Sequence, residues 1–418
     1  MRHEADYAPA MSPPTSLITR SDAQRRRHLE QLLEVTSLPS VAGREQRVIA
    51  WIRRWLASRP DLACTADAHG NLVIAAANET ATSARPVYFT AHMDHPGFVV
   101  ERIVAPDVVE LSFRGGVMDE YFVDAPVVIH DEFDVRHEGR LFGDPRPGGK
   151  PGGFRHYMVE LRRPTDSVAV GDVATWDVGP AEVIDGLVHT LACDDLAALA
   201  AAVAAYDSLP LDQLTQPVRL LFTRAEEIGF VGAIGACRSK TLPANARVIA
   251  LENSRSFAES PIGGGPIVRV GDRLSIFAPS LTDAVAKRAE EIAGGASTVT
   301  ASQKLADLPR WKWQRKLMAG GACEASVFCA FGLEATCVCL PLGNYHNMAD
   351  LQAVQEGTFQ GKPHVAREFI AEADYQGLID LLMACGLSLP ENPPFAQHLA
   401  LFERLWNDKS WVLPGMPG

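Results

Sequence analysis

Apolar residues along this chain follow a helical period first, then a strand period, then an alternation of the two. From Ser21, the segment DAQRRRHLEQLLEV places Leu29, Leu32 and Leu33 at helical spacing, with Ser21 as the N-cap. GREQRVIAWIRRWLA (43–57) repeats the pattern, with Val48, Ile49, Ile52 and Leu56 on one face. DAHGNLVIAAAN (67–78) predicts a Gly-Asn turn entering a strand, and PVYFTAHMDHPG (86–97) an apolar strand ending in polar residues. From about 98 to 188 the apolar runs shorten to FVVERIV, DVVELSF, APVVIH and HYMVELRR, and Gly and Pro punctuate them. No long helical pattern interrupts that region, which predicts a small β-barrel or sandwich.

Beyond 194 the strong helix DDLAALAAAVAAYDSL is followed by the strand PVRLLFTR (217–224) and by GAIGACRS, which opens another helix. ARVIALEN (246–253) and ATCVCLPLG (335–343) predict strands; LTDAVAKRAEEIAG (281–294) and EASVFCAFG (324–332) predict helices. A long amphipathic helix is expected from His364 to about Cys385. Apolar strands alternating with helices imply an α/β domain whose sheet is substantially parallel. The expected organisation is a loose arm over 1–20, an α/β domain split between 21–98 and 189–418, and a β-domain inserted at 99–188.

Composition narrows the partners. The 418 residues carry 39 Lys plus Arg against 51 Asp plus Glu, a net charge of −12. That speaks against a nucleic-acid protein and against an anionic membrane surface. The longest apolar stretch, Leu196 to Tyr206, falls short of the roughly 20 residues that cross a bilayer. The first residues lack the apolar core of a signal peptide. Eight cysteines without zinc-ribbon spacing are expected to be buried, reduced thiols of a cytoplasmic protein.

Five places carry candidate chemistry, each at a strand end or a helix start, where open α/β sheets bind ligands. His92-Met93-Asp94 follows VYFTA, and strand alternation puts residues i and i+2 on one side. Asp194-Asp195 opens the alanine-rich helix, where a capping role is the plainer reading. Glu226 and Glu227 end a buried strand and repel each other unless a cation or water is near. Glu252 closes RVIAL, where a carboxylate is costly unless paired or ligating. His346 stands in GNYHNMAD, just past the last strand. Together they supply two imidazoles and several carboxylates at one sheet edge, the donor set of a two-metal hydrolytic centre.

This constellation resembles the co-catalytic zinc aminopeptidases of the glutamyl and tetrahedral aminopeptidase family. The resemblance runs from about Leu29 to His346. It rests on GNLV (70–73), AHMDHPGF (91–98), CDD (193–195), RAEEIGFVGA (224–233), ALENS (250–254) and NYHN (344–347), in that order. It implies a zinc-peptidase fold, with the inserted β-domain at the subunit interface of a homo-oligomer. His92 and Glu252 would hold one divalent metal, Glu227 and His346 a second, and Asp194 would bridge both. Glu226 would be the general base, with Asp94 behind His92 as the second member of the catalytic pair. Asp195 would shape the turn. Zinc is the expected metal, with cobalt or manganese as substitutes.

Spacing agrees with this family. The 101 residues from 93 to 193 leave room for the inserted β-domain, whereas related carboxypeptidase-like and deacylase families insert theirs after the last carboxylate. Departures stand at Glu252, where the family usually has Asp, and at His95-Pro96, Leu196 and Cys323-Glu324. The expected function is therefore a metal-dependent aminopeptidase acting on peptides. An amidase, deacylase or dipeptidase is the first alternative and a non-catalytic scaffold the second. A glycosidase would need carboxylates flanking a sugar bond at roughly 5–10 Å and would leave the histidines unexplained. Arg114, Tyr121, Arg155, Arg310 and Arg315 are groups an acidic substrate would meet, and read otherwise as surface charges.

Overall fold

Ser21 starts the first helix as its sequence predicts: its hydroxyl accepts the Gln24 N–H at 3.2 Å while the Gln24 side chain accepts the Ser21 N–H at 2.9 Å. The computed structural model describes residues 19–79, 83–148, 153–295, 311–391 and 396–413. Most of the expected arm, residues 1–18, lies outside the described residues. Arg20, at its end, is buried, with its guanidinium on Asp380 and Gln376.

The chain begins α1 (Asp22–Val35), α2 (Gln46–Ala57), β1 (Leu62–Ala66), β2 (Leu72–Ala76) and β3 (Val87–His92). It then builds β4 (Gly97–Ala105), β5 (Val108–Arg114), β6 (Pro126–His130), β7 (Arg136–Arg146), β8 (His156–Leu161) and β9 (Val173–Trp176). The short β10 (Glu182–Ile184) and β11 (Leu187–Thr190) follow, then α3 (Leu196–Ser208), β12 (Val218–Thr223), α4 (Val231–Arg238) and β13 (Arg247–Arg255). Next come β14 (Ile267–Gly271), α5 (Pro279–Ala293), β15 (Gln314–Leu317), α6 (Glu324–Ala330) and β16 (Glu334–Leu342). The last elements are α7 (Leu351–Gln355), β17 (Glu368–Ala371), α8 (Glu372–Leu387) and α9 (Ala396–Lys409).

Eight strands form a mixed sheet in the order β1-β2-β12-β3-β13-β16-β14-β15. The four central strands β12, β3, β13 and β16 run parallel, while β2 on one side and β14 and β15 on the other run against them; β1, antiparallel to β2, runs with the central strands. β3 is buried along its whole length. Val87, Phe89 and Ala91 join the core with α3, while Tyr88 joins the cluster around α4 and α6 on the other face. Each such large side chain contributes about 1.5–3 kcal/mol by leaving water. α3 is apolar all round because it is sandwiched: Leu196 through Tyr206 are all buried, and α3 packs against β3, α1 and α8.

β4-β5-β8-β7-β6-β9 close into a small barrel. Its interior is aromatic: Phe98 meets Trp176 edge-on at 4.9 Å, and Phe122 stacks on Tyr157 at 4.4 Å. Met348, Leu351 and Val365 belong to the same apolar cluster, so the barrel packs against the chain just beyond His346.

Three expectations are corrected. The stretch from His364 is not one amphipathic helix: Glu368–Ala371 pairs with β11 as a strand, and only α8 is helical. Phe369 and Ile370 fit a helical period, but pairing with β11 overrides it. α8 is buried almost all round rather than on one face. Of the eight free cysteines, Cys64 is exposed and Cys237 and Cys329 are half-buried; Cys64 lies on the edge strand β1. No helix among the described residues is long and apolar enough to cross a membrane.

Candidate metal centre

The parallel strands bring their ends to one edge of the sheet. His92 closes β3 and pairs in register with Thr223, the last residue of β12, so the turn carrying Glu226 and Glu227 starts beside it. Glu252 lies near the end of the neighbouring β13. Asp194 precedes α3, and His346 lies in the turn after β16.

Asp194 stands between two imidazoles. Its Oδ1 lies 3.3 Å from His92 Nε2, and its Oδ2 lies 3.6 Å from His346 Nε2. His92 Nε2 is also 3.9 Å from Glu226 Oε2 and from Glu252 Oε1. His346 Nε2 is 3.4 Å from Glu227 Oε2. Both rings are oriented through their other nitrogen by a carbonyl, which can only accept. His92 Nδ1 donates to the Asp94 carbonyl at 3.0 Å, and His346 Nδ1 to the Gly116 carbonyl at 2.6 Å. Each Nε2 therefore aims at the carboxylates.

Asp94 does not face the cluster. It is fully buried and receives two backbone N–H groups, Glu226 at 2.9 Å on Oδ1 and Glu227 at 3.1 Å on Oδ2. It thereby fixes the turn that presents both glutamates. Asp195 Oδ2 accepts the His92 N–H at 3.2 Å.

Charge is tightly packed here. Burial raises the carboxyls of Glu226, Glu227 and Glu252 well above their usual range, and neighbouring carboxylates push the same way. Burial alone would depress His92, but Glu226, Asp194, Asp94 and Glu252 outweigh it and hold the imidazole well above its ordinary value. Asp194 is also buried, yet the two flanking histidines lower it. Asp194 Oδ1, Glu227 Oε1 and His346 Nε2 are buried without a hydrogen-bond partner. Such atoms are costly unless something positive meets them. One oxygen or nitrogen from each of Asp194, Glu227 and His346 lies within 4.8 Å of the others; His92, Asp194, Asp195 and Glu252 form a second such group. Asp194 belongs to both. Two His nitrogens and several carboxylates suit a pair of divalent cations.

Residues outside the expected set complete the site. Glu45 accepts Ala225 N–H at 3.1 Å and pairs with Arg224, supporting the left-handed Ala225 (φ 54°). Asn71 of GNLV accepts Arg224 N–H and donates to the Gly232 carbonyl, binding both ends of the glutamate turn. A Cβ on Gly232 would lie 2.3 Å from the Arg224 carbonyl oxygen, so this approach requires glycine. Glu368 accepts backbone N–H groups of Cys193, Asp194 and His346. Sequence periodicity hid Glu368, because it sat inside the expected long helix. His95, at a departure from the family pattern, links the Asp194 carbonyl (2.5 Å) to Asn347 Oδ1 (2.9 Å).

The arginines and tyrosine considered for acidic substrates have other partners. Arg114 donates to the Ala42 carbonyl, Tyr121 to the Ala349 carbonyl, Arg155 pairs with Asp119 and Arg315 with Asp283. Arg310 lies outside the described residues. Two adjoining cavities open on the cluster. One of about 350 Å³ is lined by Asp194, Glu226, Glu227 and His346. The other, of about 410 Å³, is lined by Glu252, Ser254, Arg269 and Tyr345.

A sequence profile of the M42 glutamyl aminopeptidase family matches residues 164–294. Comparison with curated proteins by sequence finds no match. Among solved structures, an aminopeptidase from the archaeon Desulfurococcus kamchatkensis is 19% identical, with a TM-score of 0.67 over 88% of this chain and 96% of its own. The TET1 peptidase of Pyrococcus horikoshii, described as assembling into a tetrahedron or a large octahedral shell, is 20% identical with a TM-score of 0.67, over 87% of this chain and 100% of its own. A Thermotoga maritima protein called an endoglucanase is 18% identical with a TM-score of 0.59, over 85% and 96%. The chain has the fold of the M42 glutamyl aminopeptidases, and its segment 164–294 carries that family's sequence pattern.

Proposed function

We propose that this chain is a two-metal aminopeptidase that releases N-terminal residues from peptides. The observation that carries the reading is Asp194, whose two oxygens face two different imidazoles, each with further carboxylates beside it. His92 and Glu252 would hold one ion, Glu227 and His346 the other, with Asp194 shared. Zinc suits the set best. The ions would polarise the scissile carbonyl and lower the pKa of water.

The protein's own groups do the rest. Glu226 is the general base: it takes a proton from the attacking water and gives it to the leaving amine. Burial and the neighbouring carboxylates raise its carboxyl above the usual range, which favours taking up a proton. Asp94 acts through Glu226, Glu227 and His92, holding their backbone and ring in place.

The cavity of about 410 Å³ beside Glu252 fits the first side chain of the peptide. Arg269 lines it, buried, with Nη1 on Ser254 Oγ at 3.1 Å and no carboxylate paired to it among the described residues. A buried guanidinium in that state favours an anionic group, hence an acidic first residue. The relatives described as a dodecamer, a tetrahedron and an octahedral shell support a homo-oligomer.

The test is metal content together with release from free and N-blocked peptides, for the wild type and Glu226→Gln. About two ions per chain in both proteins, with release of free-amine peptides only by the wild type, is the expected result. Equal hydrolysis of N-blocked peptides would move the reading to an amidase or deacylase.

A further inference from the structure

The turns that carry Asp194 and His346 are far apart in sequence, yet one side chain holds both. Glu368 is fully buried on β17. Its Oε2 accepts the N–H groups of Cys193 at 2.7 Å and Asp194 at 3.0 Å, and its Oε1 accepts the N–H of His346 at 2.7 Å. β17 is itself anchored on both sides: it pairs with β11, which leads into the Asp194 turn, and Phe369 bridges to Gly343, which leads into the His346 turn.

The His346 turn needs such an anchor. Asn344, His346 and Asn347 all have left-handed backbone, with φ of 53°, 54° and 64°. Non-glycine residues hold that conformation only where their surroundings enforce it. Three N–H donors converging from two turns require at least two acceptor oxygens, and an anion makes each bond shorter and stronger. Only a carboxylate meets both needs in the space of one side chain.

We propose that Glu368 is a positioning residue that fixes the distance between Asp194 and His346, and thereby the affinity of the metal position formed by Asp194, Glu227 and His346. This rests on the two-metal reading. A glutamine at 368 keeps one oxygen for Cys193 and Asp194 but turns an NH2 group toward the His346 N–H. The His346 turn then loses its acceptor and drifts, while His92 and Glu252, on β3 and β13, stay where the sheet puts them.

The experiment is zinc titration of metal-free protein against a chromophoric chelator, for the wild type and Glu368→Gln. The variant is expected to keep one ion at wild-type affinity and to bind the other roughly 10- to 100-fold more weakly. In a His346→Ala background the same substitution should leave the remaining ion's affinity unchanged. Wild-type affinity at both positions overturns the proposal, whatever happens to the melting temperature, and so does equal weakening of both. A wild-type chain that takes up no second ion sinks the two-metal reading itself, and this is visible before any variant is made. Should Glu368→Gln fail to fold, amide hydrogen exchange on the metal-free wild type decides. The His346 and Asp194 amides are expected to be protected, and exchange as fast as in exposed turns overturns the brace.

Discussion

Replacing Asp94 with Asn removes one charge and one acceptor from a fully buried position. The carboxylate is fully buried, and its two oxygens each receive one N–H, from Glu226 at 2.9 Å and Glu227 at 3.1 Å. An asparagine keeps one acceptor and sets an amide NH2 against the other N–H, donor facing donor. A buried donor left without an acceptor costs about 1–3 kcal/mol. The turn cannot relax freely, because Ala225 is already left-handed and tied to Glu45. The glutamate whose N–H is orphaned therefore moves, and either the base or a metal ligand leaves its place. At 1.36 kcal/mol per tenfold, the loss in kcat/KM is about 5- to 150-fold. The assay is steady-state release from a peptide p-nitroanilide at saturating zinc, with zinc affinity measured in parallel. A drop in kcat with little change in KM is expected, accompanied by weaker zinc binding if the Glu227 side is the one disturbed. A folded variant with kcat/KM and zinc affinity both within about twofold of wild type would refute the reasoning.

Glu226→Gln should retain its metal and lose at least about 100-fold in kcat, as removal of a general base does; near-wild-type turnover would reassign the base. Arg269→Met should reduce release of acidic N-terminal residues by roughly 10- to 100-fold and leave neutral ones nearly unchanged, read from a panel of aminoacyl substrates. Chelation should lower the melting temperature and zinc should restore it, since each ion at 100 times its Kd contributes about 2.7 kcal/mol; identical curves would contradict a buried metal pair. His28 is held down to about 4 by burial and by Arg20 and Arg27 nearby, and its Nδ1 accepts from Arg20 Nη1 at 3.2 Å. Its charged form is disfavoured in the folded chain, so its contribution is complete above about 6.5 and is lost as pH falls toward 4. His28→Gln should flatten the fall in melting temperature across that window, and an unchanged slope would count against the assignment.

Much of this arrangement was legible because the informative residues sit where period breaks. His92, Glu226 and Glu252 each end an apolar run, so the strand pattern and the out-of-place polar residue identify each other. α3 announces itself by being apolar all round, as a helix buried between layers must be. What stayed hidden depends on contacts between distant segments. Nothing in REFIAEAD marks Glu368 as an acceptor for N–H groups of residues 193, 194 and 346, and the helical period of its neighbours conceals even its strand. The short β1, β14 and β15 at or near the sheet edges gave no clear period either. Asp94 was placed behind His92, but its main bonds, to the backbone of Glu226 and Glu227, follow from tertiary geometry alone.

The Gly116 carbonyl that receives His346 Nδ1 lies in the connection between β5 and β6, two barrel strands. The barrel is thus no detachable cassette. A chimera carrying a foreign barrel would inherit a metal ligand free to swivel unless the graft restored a carbonyl at that point, and excision would leave the ring without its rudder. The hairpin turn at 131–135 is rooted as well, since Arg47 of α2 donates to the Asp134 carboxylate and to the Asp131 carbonyl, so a graft would have to restore that contact too.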